Sequence, residues 1–283
     1  FIILEDKTIN AFAAPGGIIG INLGMFLNTQ KEGELASVMC HELAHLSQRH
    51  FARSQNRNSP LANALMILGS IAVAAASRNP EAILIAPAAM QQMSINYTRS
   101  NEKEADRIGF NNLVKAGFNP DDMTMMFQRM QDKYQNEDSE QFSYLMTHPL
   151  PSERLTDMRI RADSLEKASK DNYRDNLDFY FMQKRAEVWA EKDIEKLVIK
   201  YKKDSKSQIN NISSAAKYGL SLALKQTNNF EEGFSILREL IREIPNNLVL
   251  ESSLMELHVA AENYYEAISL GKNILEIQDN NYA

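Results

Sequence analysis

The chain is poor in cysteine and in clustered basic residues. Its single cysteine, Cys40, cannot form an internal disulfide, which excludes a disulfide-stabilised scaffold but does not settle the compartment. The 37 acidic and 31 basic residues give a net charge of −6, and no basic block occurs. A nucleic-acid partner is therefore not expected, because neutralising phosphates requires clustered Lys and Arg.

Charge is missing altogether between Asn58 and Ser77, and residues 61–77 are strongly apolar. A helix over 61–77 would reach about 26 Å, slightly short of the roughly 30 Å hydrocarbon core of a bilayer. We therefore favour a buried helix. Two alternatives remain. One is a transmembrane span, and the other is an apolar flap that touches lipid or client proteins, with membrane-surface contact through residues 61–93.

What the chain does have is typical of a soluble globular protein. Its 283 residues are 44% hydrophobic and 24% charged, which suits two domains. The first residue is Phe1 rather than Met, so we expect any leading segment to lie outside this sequence. The patterns predict a mainly α-helical fold with a small β-hairpin, divided into domains at residues 1–165 and 166–283.

The β structure is predicted at the start of the chain, within residues 1–27. The turn residues Pro15-Gly16-Gly17 separate two short apolar segments, Thr8–Ala13 and Gly17–Leu23, which predict a hairpin. Almost everything after it is helical. A helix from Glu34 to about Arg53 is predicted because its apolar residues recur at helical spacing without Gly or Pro.

Residues beyond about 165 form amphipathic helices with an internal repeat. Asn229-Phe230-Glu231-Glu232-Gly233 aligns with Asn263-Tyr264-Tyr265-Glu266-Ala267, thirty-four residues later. This period, with a small residue at the helix crossing and Pro245 after the second helix, is typical of tetratricopeptide repeats. We therefore predict an α-solenoid of such repeats, incomplete at its C-terminal end because solenoids need a capping repeat.

The strongest motif is H-E-L-A-H, which begins at His41. On a helix, His41 and His45 lie one turn apart on one face, where both imidazoles can reach a single Zn²⁺. Glu42 is placed to act as general base on the zinc-bound water. With only five histidines in the chain, a chance pair of surface histidines is a poor alternative.

Zinc needs a third protein ligand, for which Glu102 is the best candidate. Asp106 follows one helical turn later and would hydrogen-bond a ligand histidine, fixing its tautomer. Glu104 faces another direction and is the fallback ligand. One zinc ion per chain is expected.

His41-Glu42-x-x-His45 followed by Glu102-x-x-x-Asp106 resembles the gluzincin family that includes the CAAX prenyl protease and HtpX. The flanking segments 10–17 and 147–149 agree with it. With the added repeats, the whole chain resembles gluzincins that serve outer-membrane protein assembly. The resemblance implies a periplasmic enzyme that degrades misfolded or stalled β-barrel proteins, with those proteins and their assembly machinery as partners.

Two residues of the proline-containing segment 147–154 are candidates with open alternatives. The resemblance implies that His148 approaches the zinc, as a fourth ligand or as a transition-state donor, although a loop histidine without a metal role is possible. Arg154 could stabilise the oxyanion of the tetrahedral intermediate or be a structural ion-pair partner. Cys40 is expected to pack as a small hydrophobe, and His50 and His258 to lie on the surface.

The predicted reaction is peptide hydrolysis, with an extended substrate paired to the edge of strand Ile18–Leu23. A rival hypothesis is a chaperone or scaffold whose repeats bind assembly partners while proteolysis is secondary. An integral membrane protease built around residues 61–93 is a third alternative.

Overall fold

The computed structural model describes residues 1–14, 16–57, 85–136, 143–165, 173 and 176–281. The apolar segment 61–77 lies outside the described residues, as does most of 61–93. The chain divides into two compact units, Phe1–Asp175 and Asn176–Ala283. No helix among the described residues is long and apolar enough to cross a membrane.

The first unit opens with a three-stranded sheet. Its strands are β1 (Ile2–Leu4), β2 (Ala11–Ala14) and β3 (Ile18–Asn22), in the order β1-β3-β2. The hairpin predicted from the turn signal is confirmed: β2 and β3 pair antiparallel, with Ala11 opposite Ile21 and Ala14 opposite Ile18. Gly16 and Gly17 supply the positive φ angles of the connecting turn, 91° and 80°.

Two details of the predicted β region are wrong. Residues 23–28 form a helix, α1 (Leu23–Asn28), rather than continuing the strand. β3 also pairs with β1 in parallel, so it is the central strand and has no edge to offer a substrate. Within the described residues β2 pairs with β3 alone, so an outer edge belongs to β2 instead.

The other regular elements among the described residues of the first unit are helices. They are α2 (Glu32–Ser47), α3 (His50–Arg57), α4 (Ile85–Lys115), α5 (Asp121–Asn136), α6 (Ser143–Thr147) and α7 (Ser152–Ser164). The single helix predicted from Glu34 to Arg53 is wrong. The chain breaks at Arg49, whose φ of 54° is left-handed and cannot continue an α-helix.

The core of the first unit is built around the contact between α2 and α4. Gly109 of α4 makes this contact close: a Cβ there would lie 3.0 Å from the backbone nitrogen and Cα of His41. Apolar side chains from the sheet, α2, α4, α5 and α7 complete the core, among them Ile21, Val38, Leu113 and Phe127. The two helices are therefore held at backbone contact distance beside the predicted metal ligands.

The described residues of the second unit form six helices. They are α8 (Leu177–Ala190), α9 (Ile194–Asp204), α10 (Asn210–Gln226), α11 (Phe230–Glu243), α12 (Leu248–Ala260) and α13 (Tyr264–Asn281). The 34-residue offset recurs in the backbone. α10 and α12 end 34 residues apart, and each is followed by a left-handed residue, Asn228 (φ 58°) or Glu262 (φ 59°). This helical architecture is consistent with tetratricopeptide repeats, which stay a prediction.

A partly buried polar cluster ties three helices of the second unit together. Arg185 of α8 donates to the Tyr218 hydroxyl on α10 at 3.0 Å, and to Ser253 Oγ and Glu256 Oε1 on α12 at 2.8 and 2.9 Å. The fork of the guanidinium fits this arrangement, since its donors point in several fixed directions. No repeat pattern in the sequence indicates this cluster.

Candidate metal centre

Helix α2 places the two motif histidines together. His41 and Glu42 are buried, with 0% and 1% of their surface exposed, and His45 is half-buried. The Nε2 atoms of His41 and His45 face each other at 3.0 Å. This is the arrangement expected of residues i and i+4, whose side chains stack on one face of a helix.

Helix α4 adds carboxylates to the same point. One oxygen of Glu102 lies 3.4 Å from Nε2 of His41, and the other lies 3.4 Å from Nε2 of His45. One turn further on, Asp106 Oδ1 lies 3.1 Å from the opposite ring nitrogen of His41, Nδ1. The close approach at Gly109 allows both side chains to reach α2.

His148 arrives from the segment after α6. Its backbone nitrogen donates to the Tyr144 carbonyl at 2.8 Å, and its ring stacks on the Tyr144 ring at 4.6 Å. Its Nδ1 lies 3.1 Å from each oxygen of Glu102, and its Nε2 lies 3.6 Å from Oε1 of Glu42. One ligand atom from each of His41, His45, Glu102 and His148 lies within 4.8 Å of all the others.

Arg154 is buried behind these ligands. Its guanidinium donates to both oxygens of Asp106 at 2.6 and 2.7 Å and to the Pro149 carbonyl at 2.6 Å, and it lies 3.0 Å from Glu102. Of the two roles considered for Arg154, these contacts favour the ion-pair partner. They also join the segment after α6 to α4.

The electrostatics of the site lower the pKa values of Glu102 and Asp106. Burial alone would raise the pKa of Glu102, but hydrogen bonds from His148 and His41 outweigh it and hold that pKa well below its usual range. Burial alone would also raise the pKa of Asp106, but hydrogen bonds from Arg154 and His41 outweigh it and lower that pKa. Burial and the neighbouring His41 lower the pKa of His45 to about 2, so this imidazole is neutral.

These residues fit a divalent cation. Two imidazole nitrogens and a carboxylate converge within 3.4 Å, and a neutral nitrogen that faces another nitrogen is satisfied when a cation lies between them. Oε1 of Glu42 is buried and makes no hydrogen bond with the described residues. Nitrogen and carboxylate donors in this number are the ligand types that zinc takes in catalytic sites.

One residue near the site was misjudged from the sequence. His50, expected on the surface, is only 4% exposed and contacts both His45 and Glu104. Glu104, the fallback ligand, lies outside the ligand cluster and pairs with His50 and Arg53. Helical spacing could not find this contact, because residue i+5 on an unbroken helix lies about 140° away from residue i.

His258 was also expected on the surface and is buried. Its exposed fraction is 6%, and its ring lies 4.4 Å from the Phe234 ring in the second unit. Cys40 packs against the core of the first unit, and burial raises the pKa of its thiol to about 11. A thiol of this kind is unreactive at neutral pH, as expected of a cysteine that packs as a small hydrophobe.

A cavity of about 710 Å³ opens onto the cluster. Its walls include Phe12 and Ala14 of β2, Glu42 and His45 of α2, and His148. The outer strand of the sheet therefore borders the same space as the buried carboxylate and the ligand histidines. A peptide in this cavity could contact strand β2 and the metal cluster at the same time.

The helix pair, the two motif histidines and the carboxylate from α4 together define a metalloprotease domain. The family model described as "Peptidase family M48" matches residues 1–162. The chain belongs to peptidase family M48, which confirms the resemblance to gluzincin metalloproteases.

Among curated proteins, the chain is similar to β-barrel assembly-enhancing proteases. The one from Escherichia coli (strain K12) is 32% identical over 99% of this chain and 58% of its own length. A Vibrio cholerae relative, named provisionally as the same kind of protease, is 38% identical over 87% of this chain and 51% of its own length. The mitochondrial metalloendopeptidase OMA1 of Schizosaccharomyces pombe is 28% identical over 54% of this chain and 43% of its own length. The chain thus spans a little more than half the length of the β-barrel assembly-enhancing proteases that it matches.

Proposed function

We propose that the chain is a zinc-dependent endopeptidase with one zinc per chain, held by His41, His45 and Glu102. The observation that carries this proposal is the convergence of these three side chains from two helices at 3.0–3.4 Å. Zinc in such a site acts as a Lewis acid toward the scissile carbonyl and the attacking water. Asp106 lies 3.1 Å from Nδ1 of His41 on the side away from the proposed metal, and Arg154 in turn donates a hydrogen bond to Asp106.

Glu42 is the general base. It follows a ligand histidine on α2, and its buried Oε1, which makes no hydrogen bond with the described residues, can accept the proton of the attacking water. The same carboxyl group then delivers this proton to the leaving amine. Burial of the carboxylate beside the ligands strengthens its interaction with the reacting groups, because little water competes there.

The substrate is an extended, unfolded segment that pairs with β2 (Ala11–Ala14). This strand lines the cavity and has an outer edge, whereas β3 is central in the sheet. Edge pairing uses backbone hydrogen bonds, so it gives affinity with little sequence selection. Such a site suits misfolded or stalled outer-membrane β-barrel proteins, and the names of the relatives refer to β-barrel assembly. The corresponding compartment is the periplasm, and the assembly machinery of these proteins is the further partner.

His148 is a fourth ligand that closes the site in the resting state. Its ring stacks on Tyr144 and contacts Glu102 and Glu42, so it occupies the space next to the proposed base. Displacement of the segment that carries His148 would admit substrate and water together, as in other enzymes gated by a loop.

A second candidate function is binding without cleavage, in which the helices of the second unit hold assembly partners. The observation in its favour is the 34-residue repeat of helix ends and left-handed residues, since stacked helical repeats present extended binding surfaces. Residues 61–93 as a membrane contact stay a proposal without structural support.

The variant Glu42→Gln separates the two functions. We expect it to keep zinc and partner binding, because Glu42 is not a ligand, and to lose hydrolysis of an unfolded β-barrel protein by at least about 100-fold. Zinc content by metal analysis and cleavage by gel assay are the measurements. If maturation of client proteins proceeds normally with this variant, proteolysis is not the main role. If the wild-type protein holds no zinc, the proposed function fails as a whole.

A further inference from the structure

A second layer of contacts lies on the His45 side of the metal centre. Nδ1 of His50 lies 2.8 Å from Nδ1 of His45, and Nε2 of His50 lies 3.0 Å from a carboxylate oxygen of Glu104. Arg53 reaches the same oxygen at 3.1 Å. We propose that His50 and Glu104 are positioning residues, which fix the tautomer and ring orientation of His45 through two consecutive hydrogen bonds.

The direction of these hydrogen bonds follows from the proposed role of His45 as a metal ligand. Only one proton can lie between two Nδ1 atoms that face each other. His45 turns its Nε2 toward His41 and Glu102, and a nitrogen that binds a metal carries no proton. Nδ1 of His45 therefore carries the proton and donates it to Nδ1 of His50. Because Nδ1 of His50 accepts this hydrogen bond, the proton of His50 lies on Nε2, from which it donates to Glu104.

The two ligand histidines are thus oriented in different ways. Asp106 contacts His41 directly, at 3.1 Å from Nδ1. On the other side a second imidazole lies between the ligand and the carboxylate, so that Glu104 acts on His45 through His50. Carboxylates and other acceptors behind a metal-bound histidine commonly fix its tautomer and raise its basicity.

Burial makes this chain of contacts effective. His50 is 4% exposed, so water competes little for its two ring nitrogens. Glu104 is more open, with 29% of its side chain exposed, and Arg53 keeps a cation beside it. Nε2 of His50 and the Arg53 guanidinium both lie against the same carboxylate oxygen of Glu104, so this carboxylate is the acceptor at the end of the chain of contacts.

The break at Arg49 creates the contact. Its left-handed φ of 54° ends α2 and starts α3 at His50, which turns the His50 ring back toward His45. A left-handed arginine is unfavourable by about 1 kcal/mol relative to glycine at such a position. The motif H-E-L-A-H is thus followed directly by the segment Leu-Ser-Gln-Arg-His, whose last residue, His50, positions the motif residue His45.

A purely structural role for His50 predicts the opposite proton arrangement. If His50 were a protonated core residue paired with Glu104, it would donate from both nitrogens, and Nδ1 of His45 would accept. The proton of His45 would then lie on Nε2, where it would block metal binding. The tautomers of His45 and His50 in the zinc-loaded protein therefore distinguish the two roles.

The experiment measures zinc affinity of the full chain by competition with a chromogenic chelator. His50→Leu keeps the apolar volume but removes both hydrogen bonds, and it should weaken zinc binding by about 10- to 100-fold. His50→Gln should retain most of the affinity, because its carboxamide can accept from His45 and donate to Glu104. Glu153→Gln is the control, since it breaks the exposed Lys103–Glu153 ion pair and should leave the affinity unchanged.

A double-variant cycle tests whether Glu104 acts through His50. Glu104→Gln alone should weaken zinc binding, by less than His50→Leu does, and adding it to His50→Leu should cause no further loss. Fully additive losses, or a His50→Leu protein that binds zinc as wild type does, would overturn the proposal. Nitrogen-15 NMR of histidine rings in the wild-type zinc protein should show His50 protonated at Nε2 only, and protonation at both nitrogens would also overturn it. The inference rests on the proposed zinc site. If the wild-type protein held no zinc, the proposed function itself would fail. The outcomes for the His50 and Glu104 variants test only the positioning roles of those two residues.

Discussion

Arg154 shows how single residues determine the stability of the metal centre. Glu102 and Asp106 are buried as carboxylates, which is unfavourable unless a cation or hydrogen-bond donors compensate. Arg154 lies within 3.0 Å of both of them and is itself 3% exposed. The guanidinium therefore stabilises the carboxylates that in turn hold the proposed metal and His41.

Replacing Arg154 should be among the most damaging single changes in the first unit. Arg154→Met leaves Asp106 as a buried charge without its main partner, which typically costs about 3–5 kcal/mol. Urea denaturation followed by circular dichroism measures the loss. Arg161→Ala on the same helix is the control, because its pair with Asp157 is exposed and contributes under about 0.5 kcal/mol. If the two variants lost the same free energy of unfolding, the buried ion pair would contribute no more to stability than the exposed one.

His148 tests whether the resting site is closed. His148→Ala should leave zinc bound by His41, His45 and Glu102 and should raise basal proteolysis severalfold, because the space beside Glu42 becomes accessible. Metal analysis and cleavage of an unfolded β-barrel protein are the measurements. Loss of turnover with zinc retained would instead make His148 a transition-state donor. No change in either would make it a structural loop residue.

At the residue scale the sequence predicts the groups whose spacing is helical and misses those whose contact depends on a turn. His41 and His45, like Glu102 and Asp106, are separated by one helical turn, so their shared faces follow from the periodicity of α2 and α4. His50 meets His45 only because the backbone reverses at Arg49, and no propensity indicates a left-handed arginine there.

At the scale of helices, the separation of α2 and α4 is set by one glycine. A Cβ on Gly109 would lie 3.0–3.1 Å from backbone atoms of Cys40 and His41, and backbone atoms cannot rotate away. Long helices from distant parts of the chain carry no local signal of such a contact. The sequence therefore predicts both helices but not their distance, which decides whether Glu102 reaches the histidines.

Gly109→Ala should lower zinc affinity more than it lowers stability. Overpacking costs about 1–3 kcal/mol, but the helix propensity of alanine returns about 1 kcal/mol, so the net change in unfolding free energy is small. The helices must move apart, and Glu102 and Asp106 move with α4. Chelator competition should show at least about tenfold weaker zinc binding. Unchanged affinity would mean that the contact tolerates a methyl group.

The matched control for this variant lies in the second unit. A Cβ on Gly233 would meet the tip of the Leu257 side chain at 3.2 Å, and this flexible group can shift. The equivalent position 34 residues later is Ala267, which is buried in its helix. Gly233→Ala should therefore leave zinc affinity unchanged and stabilise the protein by up to about 1 kcal/mol through helix propensity.

At the scale of the whole molecule, the described residues form two hydrophobic cores. One is formed by residues between Ile9 and Met158, and the other by residues between Phe181 and Leu257. These cores fall within the two compact units, Phe1–Asp175 and Asn176–Ala283. The predicted division at 165/166 stays a prediction, but separate cores give each unit its own source of stability.

Zinc should consequently stabilise one unit and not the other. A ligand that binds only the folded state adds RT ln(1 + [L]/Kd), which is about 4 kcal/mol at a thousandfold excess over Kd. Scanning calorimetry of the full chain should show two transitions. Addition of EDTA should lower the temperature of the transition that belongs to the first unit and leave the second in place. Arg185→Met assigns the transitions, because it removes the polar cluster of α8, α10 and α12 and should lower only the zinc-insensitive one. A single transition that shifts as a whole with EDTA would show that the two units unfold together, and the independence inferred from the separate cores would be wrong.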